Sequence, residues 1–144
     1  MRYCYLLCAA AVLFALASPA GAMPSFYKEF KKDYIDSLKD KKFAEAMDKG
    51  DVKCLTCHQG KQKKNRNSFG KEVGKLLTKK DKDNTEKIAA GLKQALAMHV
   101  DPKNEKSETY MDRLKAGQWP GGKLEDLKKE PKKSGAAEPE AKKE

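Results

Sequence analysis

The stretch Cys54-Leu55-Thr56-Cys57-His58 decides how the rest of this chain is interpreted. A C-x-x-C-H sequence is the attachment signature of a c-type haem. Two thiols three positions apart can each form a thioether with one of the two vinyl groups on a single porphyrin edge. The imidazole that follows can then bind the iron from the proximal side. The C-x-x-C-H stretch therefore predicts one covalent haem c, held by Cys54 and Cys57, with His58 as the proximal iron ligand.

Three other uses of these cysteines fit the sequence less well. A structural zinc site needs four ligands, and residues 23–144 offer only His99 as a further cysteine or histidine. A thioredoxin-like pair belongs in a βαβ setting, whereas no strand pattern surrounds Cys54. A disulfide between Cys54 and Cys57 would close a very small loop and stabilise little. None of the three requires a histidine directly after the second cysteine.

Residues 1–22 have the features of a cleaved export signal. A short basic segment precedes an apolar run over residues 3–16, and Ala20-Gly21-Ala22 fits a cleavage site. The apolar run is shorter than the ~20 residues needed to span a bilayer, so no transmembrane anchor is expected. Cys4 and Cys8 would leave with the signal, so both remaining thiols would be used by one haem. We expect a periplasmic or equivalent exported compartment, where free thiols rarely persist.

The chain is strongly basic, with 31 Lys and Arg against 21 Asp and Glu. Such a surface suits nucleic acid, anionic lipid or an acidic protein. Nucleic acid is not expected, because the chain is exported and has no binding motif for it. Two interpretations stay open: a solvated lysine coat without a partner, and a docking surface for acidic redox-partner proteins. Four residues beside the C-x-x-C-H stretch would form its rim or neutralise haem propionates, namely Lys61, Lys63, Lys64 and Arg66.

The remaining sequence is typical of an all-α domain. Patterns of alternating β-branched residues are nearly absent, and Lys, Glu, Ala and Leu dominate. We predict a small cytochrome c-like domain of about four helices packed around one covalent haem. The helices are expected at residues 25–49 with a break at 40–42, then at 69–77, 86–100 and 106–116. Asn67 or Ser68 is expected to cap the second of these helices, and Asn84 or Thr85 the third.

A turn-rich strap at residues 118–122 follows the last predicted helix, and the apolar pattern stops soon after it. From Lys128 onward the sequence consists of Lys, Glu, Pro, Ala, Gly and Ser, a composition typical of disorder. The predicted organisation is therefore a signal peptide (1–22), a monohaem domain (23–127) and a disordered charged tail (128–144).

The sixth position on the iron has several candidate ligands, and the choice among histidine, methionine and no protein ligand tunes haem function. His99 is the favoured distal ligand, because it is the only histidine outside the C-x-x-C-H stretch. Met111 and Met98 are the alternatives, and Met47 is a further candidate. A hydrogen-bonded core histidine without iron is the competing interpretation of His99.

A helical projection supports His99. At about 100° per residue from Ile88, Leu92 lies near 40°, Ala95 near 340° and His99 near 20°. His99 would then occupy the middle of the apolar face, where a buried polar ring needs a partner. Met98 falls at about 280°, outside that face. Histidine on both sides of the iron would favour a low reduction potential, and methionine would raise it.

With these elements in place, the chain resembles small monohaem c-type cytochromes. More narrowly, two segments are similar to short planctomycete-type cytochrome c domains. They are Cys57-His58-Gln59-Gly60-Lys61 through Asn65-Arg66-Asn67-Ser68-Phe69-Gly70, and Thr109-Tyr110 through Lys115-Ala116-Gly117-Gln118-Trp119-Pro120-Gly121. The resemblance spans about residues 26–122 and implies electron transfer in the periplasm or an equivalent compartment. Some members form heterodimers with a distal cysteine on iron and bind small gases, but residues 23–144 contain no third cysteine.

The sequence thus predicts an exported carrier of single electrons between redox proteins, and not an enzyme. The alternatives are a haem-based binder or sensor of small gases and a redox subunit of a heteromeric complex, including a heterodimer with another cytochrome subunit. Peroxidase-like catalysis would need an open iron site and a distal acid–base group. If His99 binds iron, no histidine is left for that role.

Overall fold

The structure is a computed structural model that describes residues 24–131. The predicted signal peptide and residues 132–144 of the predicted tail lie outside this range. Six α-helices form the described chain: α1 (Pro24–Phe30), α2 (Lys41–Asp48), α3 (Ser68–Leu76), α4 (Thr85–Ala97), α5 (Tyr110–Lys115) and α6 (Leu124–Leu127). Between residues 24 and 131 the only β pairing consists of isolated bridges. The all-α prediction is confirmed, with more and shorter helices than the four expected.

Polar side chains set the helix starts, as the sequence predicted. Asn67 caps α3 by accepting a hydrogen bond from Gly70 N at 2.8 Å. Asn84 caps α4 in the same way, accepting from Lys87 N at 2.9 Å. Asn is among the best N-cap residues because its side-chain oxygen satisfies an otherwise unpaired backbone N–H.

The predicted first helix is two helices. After α1 the chain makes a π-helical turn, Lys31–Ile35, and α2 begins only after Asp40, which accepts from Phe43 N at 3.0 Å. A break between two helices is therefore confirmed, but it lies at residues 36–40, and Lys41 and Lys42 already belong to α2. Gly50 follows the C-cap of α2 with φ +53°, the left-handed conformation that ends many helices.

The core forms where α1, α3 and α4 pack together. The rings of Phe30, Phe69 and Tyr110 form a row of tilted contacts. The ring centroids of Phe30 and Phe69 are 5.9 Å apart, and those of Phe69 and Tyr110 are 5.3 Å apart. Neighbouring aromatic rings bury a large apolar area, and the attraction between the rings adds to the stability of the fold. The other buried apolar side chains come from nearly every element: Ile35, Met47, Leu55, Val73, Leu77, Ile88, Leu92, Ala95, Leu96, Leu114, Trp119 and Leu127.

Helix α4 ends three residues earlier than predicted, at Ala97 instead of Val100. Met98 has extended backbone angles, and its carbonyl accepts a hydrogen bond from Tyr110 N at 3.1 Å. Val100 N donates to Glu108 O at 2.9 Å. These non-local bonds replace the helical ones, so His99 lies beyond the helix and the helical projection that placed it on the apolar face of α4 was wrong.

The last predicted helix also begins later, because Thr109 and Asp112 form a reciprocal capping box at the start of α5. At the C-terminal end, Lys128–Glu130 belong to the folded domain, which corrects the predicted start of the tail. Gly60 N donates to Leu127 O at 2.7 Å, and Glu130 hydrogen bonds to the loop after the C-x-x-C-H stretch. Within residues 24–131, none of the helices combines the length and apolar character needed to cross a bilayer.

Candidate functional site

The C-x-x-C-H stretch forms one closed helical turn. It comes at the end of the 3₁₀ segment Gly50–Thr56. The carbonyl of Cys54 accepts from His58 N at 2.9 Å and from Cys57 N at 3.3 Å. Side chains three positions apart in such a segment project in the same direction. The backbone therefore places Cys54, Cys57 and His58 in one closed turn.

Both cysteines are free thiols, and each is partly buried. Lys63 Nζ donates to Cys54 Sγ at 3.3 Å. Burial raises the pKa of the Cys57 thiol to about 12, with a smaller upward contribution from Cys54, while the positive charge of Arg66 opposes the rise. Cys57 is thus a protonated thiol at neutral pH, the less nucleophilic of its two forms.

The ring of His58 is held next to Cys57 by the backbone. His58 and Arg66 form an antiparallel bridge, which fixes the ends of the intervening loop. Burial lowers the pKa of His58, with Arg66 and Lys63 acting in the same direction, although backbone hydrogen bonding by Asn65 opposes the change. The imidazole is accordingly neutral at neutral pH, which is the form that binds metals.

Two polar side-chain atoms of the turn are buried and have no hydrogen-bond partner within residues 24–131. They are His58 Nδ1 and Thr56 Oγ1. Unpartnered buried polar atoms are uncommon in folded proteins, and each calls for an explanation such as a ligand or a bound water. Both lie in the five-residue turn that carries the two thiols, so this turn has the character of a binding site.

Asn67 is the functional residue that the sequence analysis identified only as a helix cap. Its side chain is almost fully buried, with 3% of the residue exposed. Besides capping α3, its amide Nδ2 donates to the carbonyls of Leu55 at 2.8 Å, Thr56 at 3.2 Å and His58 at 3.2 Å. The cap could be read from the sequence. The contacts with the C-x-x-C-H turn could not, because they depend on how α3 packs against it.

Two glycines allow α3 and the strap to approach the turn. A methyl group at Gly70 would overlap the backbone carbonyl of Cys57, and one at Gly121 would overlap the Asn67 amide. Ser68 Oγ also donates to Gly121 O at 3.4 Å. The predicted strap, which includes the buried Trp119 and Pro120, thus packs against the Asn67 amide.

The loop that follows the turn is basic, and it is hydrogen-bonded to the C-terminal end of the described chain. Lys61, Lys63 and Lys64 are exposed. Both carboxylate oxygens of Glu130 are held by the loop, one by Lys61 N at 2.9 Å and the other by Asn65 Nδ2 at 2.7 Å. A segment predicted to be disordered therefore contributes to the shape of the loop.

His99 lies in a different part of the fold, the connection between α4 and α5, where its backbone pairs with Thr109. Its Nδ1 is 2.5 Å from the carbonyl oxygen of Ser107. A carbonyl only accepts, so Nδ1 carries the proton and Nε2 is the free nitrogen. Within residues 24–131, the hydrogen bonds and the backbone bridge of His99 are with Ser107 and Thr109, and none of them reaches the C-x-x-C-H turn.

The methionine candidates differ in burial. Met47 is fully buried in the core, whereas Met98 and Met111 are partly buried at its edge. Met98 is the C-cap of α4 and Met111 lies in the first turn of α5, so both are close in sequence to the bridge between His99 and Thr109.

The residues present fit a covalent haem c as far as the proximal side is concerned. Two thiols and a neutral imidazole share one turn, and the imidazole has an unpartnered buried nitrogen. In the described chain no group of three or more His, Cys, Asp or Glu side chains is arranged to hold a metal ion by itself. A surface cleft of about 250 Å³ lies elsewhere, beside α1 and α2, and its walls include the ion pair of Lys31 with Asp36.

Comparisons of the chain with protein-family models, with curated proteins and with solved structures found no match.

Proposed function

We propose that the protein is an exported monohaem c-type cytochrome that carries single electrons between redox proteins. Cys54 and Cys57 would hold one haem c through thioethers, and His58 would be its proximal ligand. When bound, haem supplies an iron centre that gains and loses one electron, with a potential set by its axial ligands and surroundings. The resemblance to short planctomycete-type cytochrome c domains supports the same assignment.

The observation that carries this proposal is the hydrogen bond from His58 N to Cys54 O, at 2.9 Å. It closes the turn so that the two thiols and the imidazole belong to one rigid unit. A disulfide would use the thiols without a role for His58. A structural zinc site would need four ligands, and besides these three, residues 23–144 offer only His99 as a cysteine or histidine. The lowered pKa of His58 also suits this assignment, because a neutral imidazole nitrogen is the form that binds iron.

His99 is our proposed distal ligand, with Met111 or Met98 as the alternatives. The hydrogen bond from His99 Nδ1 to Ser107 O supports this choice, because it leaves Nε2 free to bind iron. Metal-bound histidines usually donate their other ring N–H to a carbonyl or carboxylate in this way. A second histidine would give six-coordinate iron of low potential, which suits a carrier better than a gas sensor.

The basic loop is the proposed docking surface for an acidic redox partner. Lys61 and Lys64 are exposed next to the turn and form no ion pair within residues 24–131. Unpaired positive charge near the electron-transfer site steers a negatively charged partner toward it. Export to the periplasm or an equivalent compartment remains part of the proposal, since haem is attached after export in bacteria.

Substitution of the cysteines tests the attachment. The full-length chain, produced with its signal and with a bacterial haem-attachment system, is separated on a denaturing gel and stained for haem peroxidase activity. We expect a stained band for the natural chain, a weaker one for Cys54→Ser or Cys57→Ser, and none for the double variant. Thr56→Ser, which leaves both thiols in place, is the control and should stain normally. An unstained natural chain with free thiols would contradict the proposal.

A further inference from the structure

The buried side chain of Asn67 connects helix α3 to the C-x-x-C-H turn. Its Oδ1 accepts from Gly70 N at 2.8 Å and so performs the capping. Its Nδ2 faces the opposite way and donates to three carbonyls, the nearest being Leu55 O at 2.8 Å. Because an amide nitrogen carries two hydrogens, the bonds to Thr56 O and His58 O, both at 3.2 Å, must share the second one.

The backbone of Asn67 completes this set. Its N–H donates to Cys57 O at 3.1 Å. The carbonyls of residues 55–58 are thus all bonded to Asn67, and the carbonyl of Cys54 is bonded within the turn. One residue therefore determines the direction of four consecutive peptide groups. Those peptide groups in turn set where the Cys57 and His58 side chains project.

Helix capping alone does not require these features. Asn84 caps α4 with nearly the same geometry, 2.9 Å to Lys87 N, yet it is exposed. Ser and Asp cap helices about as well as Asn. What only Asn or Gln supplies is a neutral NH₂ group that donates to carbonyls, and the shorter of the two fits here. The burial of Asn67 between the turn and Gly121 points to this second role.

We propose that Asn67 is the positioning residue of the C-x-x-C-H turn, which it holds in the conformation that presents both thiols and the imidazole to one ligand. The ordering of the turn is a property of the chain itself, while its effect on haem attachment rests on the proposed function. Asn67 touches neither thiol through its side-chain amide and acts through the backbone of Leu55, Thr56 and His58.

Two substitutions separate this role from capping. Asn67→Asp keeps the capping oxygen but places a carboxylate against three carbonyls, and Asn67→Ser keeps a capping group that is too short to reach them. Asn84→Asp and Asn84→Ser are the matched controls, because that side chain caps a helix without contacting the turn. Hydrogen exchange of backbone amides is measured by NMR in the purified full-length chain, in the reduced state if haem is attached. Covalent haem per chain is measured on the same preparations.

We expect exchange at His58 N–H and Asn67 N–H to accelerate at least about tenfold in both Asn67 variants, since loss of a buried hydrogen bond makes local opening easier by roughly this factor or more. Exchange at Leu92 and Leu96, in the centre of α4, should not change. The Asn84 variants should leave His58 and Asn67 as in the natural chain. Covalent haem per chain should fall in the Asn67 variants alone.

Three outcomes would overturn the inference. The first is unchanged exchange at the turn in both Asn67 variants. The second is equal acceleration throughout α4, which would indicate a merely structural role. The third, measured on the natural chain and independent of whether a variant folds, is solvent-like exchange of the Asn67 side-chain amide protons. A natural chain without haem but with a protected Asn67 amide would contradict the proposed function and leave the role of Asn67 in ordering the turn supported.

Discussion

His99 is the residue that we propose as the distal iron ligand. Its Nε2 is the free ring nitrogen, because Nδ1 donates to Ser107 O. We predict that His99→Ala converts the ferric protein from low spin to high spin and allows carbon monoxide to bind the reduced iron, since the sixth position loses its ligand. Absorption spectroscopy with and without carbon monoxide measures both changes.

Met98→Leu and Met111→Leu are the controls for this substitution, as both methionines are close in sequence to the His99–Thr109 bridge. We expect their spectra to match that of the natural chain. An unaltered ferric spectrum in His99→Ala, with a change in one methionine variant, would assign the distal position to that methionine instead. A natural protein that already binds carbon monoxide would favour the gas-binding alternative.

Gly70 is the residue that allows helix α3 to approach the turn. A methyl group there would overlap the carbonyl oxygen of Cys57, which is backbone and cannot rotate away. We predict that Gly70→Ala lowers the free energy of unfolding by about 1–3 kcal/mol, the usual range for overpacking a tight contact. Urea denaturation measures the loss.

Gly74→Ala is the matched control in the same helix. The added methyl meets the guanidinium end of the exposed Arg66 side chain, which can move aside, and alanine is favoured over glycine in a helix by up to ~1 kcal/mol. Its loss of stability should therefore be clearly smaller than that of Gly70→Ala. Equal losses for the two variants would mean that the contact between α3 and the turn is looser than described.

Among the secondary-structure elements, starts were easier to predict from sequence than ends. Asp40, Asn67 and Asn84 cap their helices through local hydrogen bonds, and local bonds leave a recognisable sequence pattern. The end of α4 has no such pattern, because Met98 O and Val100 N pair with residues about ten positions away. The π-helical turn Lys31–Ile35 likewise has no simple sequence signal.

The 3₁₀ turn Lys79–Asp81 contains a pH-sensitive element. Asp81 accepts from Thr78 N and Lys87 Nζ, and hydrogen bonding with Lys87 is the main cause that lowers the pKa of Asp81 to about 2. Because the pKa of Asp81 is lower in the folded state, its carboxylate stabilises the fold, and this contribution is fully present above the ordinary pKa of 3.8. The contribution is lost as the pH falls toward 2. We predict that Asp81→Asn lowers the Tm at pH 7 and that its difference from the natural chain narrows below about pH 4.

Asp83→Asn is the control for this prediction, because Asp83 lies in the same loop and is highly exposed, with only a 3.8 Å approach to Lys82. Its Tm should stay close to that of the natural chain across the range. Differential scanning calorimetry between pH 7 and pH 3 distinguishes the cases. If the difference in Tm between Asp81→Asn and the natural chain stays constant down to pH 3, the lowered pKa of Asp81 is contradicted.

At the scale of the whole molecule, the grouping of the two thiols with His58 could be predicted, whereas the packing around them could not. Cys54, Cys57 and His58 lie within one five-residue turn, so their closeness follows from their spacing in the sequence. The second role of Asn67 and the attachment of Glu130 to the basic loop depend on packing between segments far apart in sequence. Neither contact leaves a local sequence pattern. An asparagine can be an ordinary helix cap, as Asn84 is, and a glutamate can be an ordinary residue of a charged tail.

The distribution of charge can be tested without knowing the partner. Hexacyanoferrate(III), an anion, oxidises the reduced protein, and we predict that Lys61→Glu/Lys64→Glu slows this reaction about tenfold at low salt, because electrostatic steering changes rates by 10-fold or more. The difference should nearly disappear at 1 M salt, where the Debye length is about 3 Å. Stopped-flow absorption measures the rate.

Lys79→Glu/Lys80→Glu makes the same change in charge after the far end of α3, about 13 Å along the helix from the turn. This control should slow the reaction much less than the loop variant. Equal effects of the two variants would indicate a uniform lysine coat with no docking surface at the loop.

The central claim is that one haem is bound covalently through Cys54 and Cys57. The pyridine haemochrome spectrum of the purified full-length chain, recorded after acid–acetone extraction has removed any loosely held haem, tests it most directly. We predict one haem per chain, retained through the extraction, with an α-band at the position typical of two thioether links. A chain that keeps no haem after extraction, with both thiols free, would contradict it.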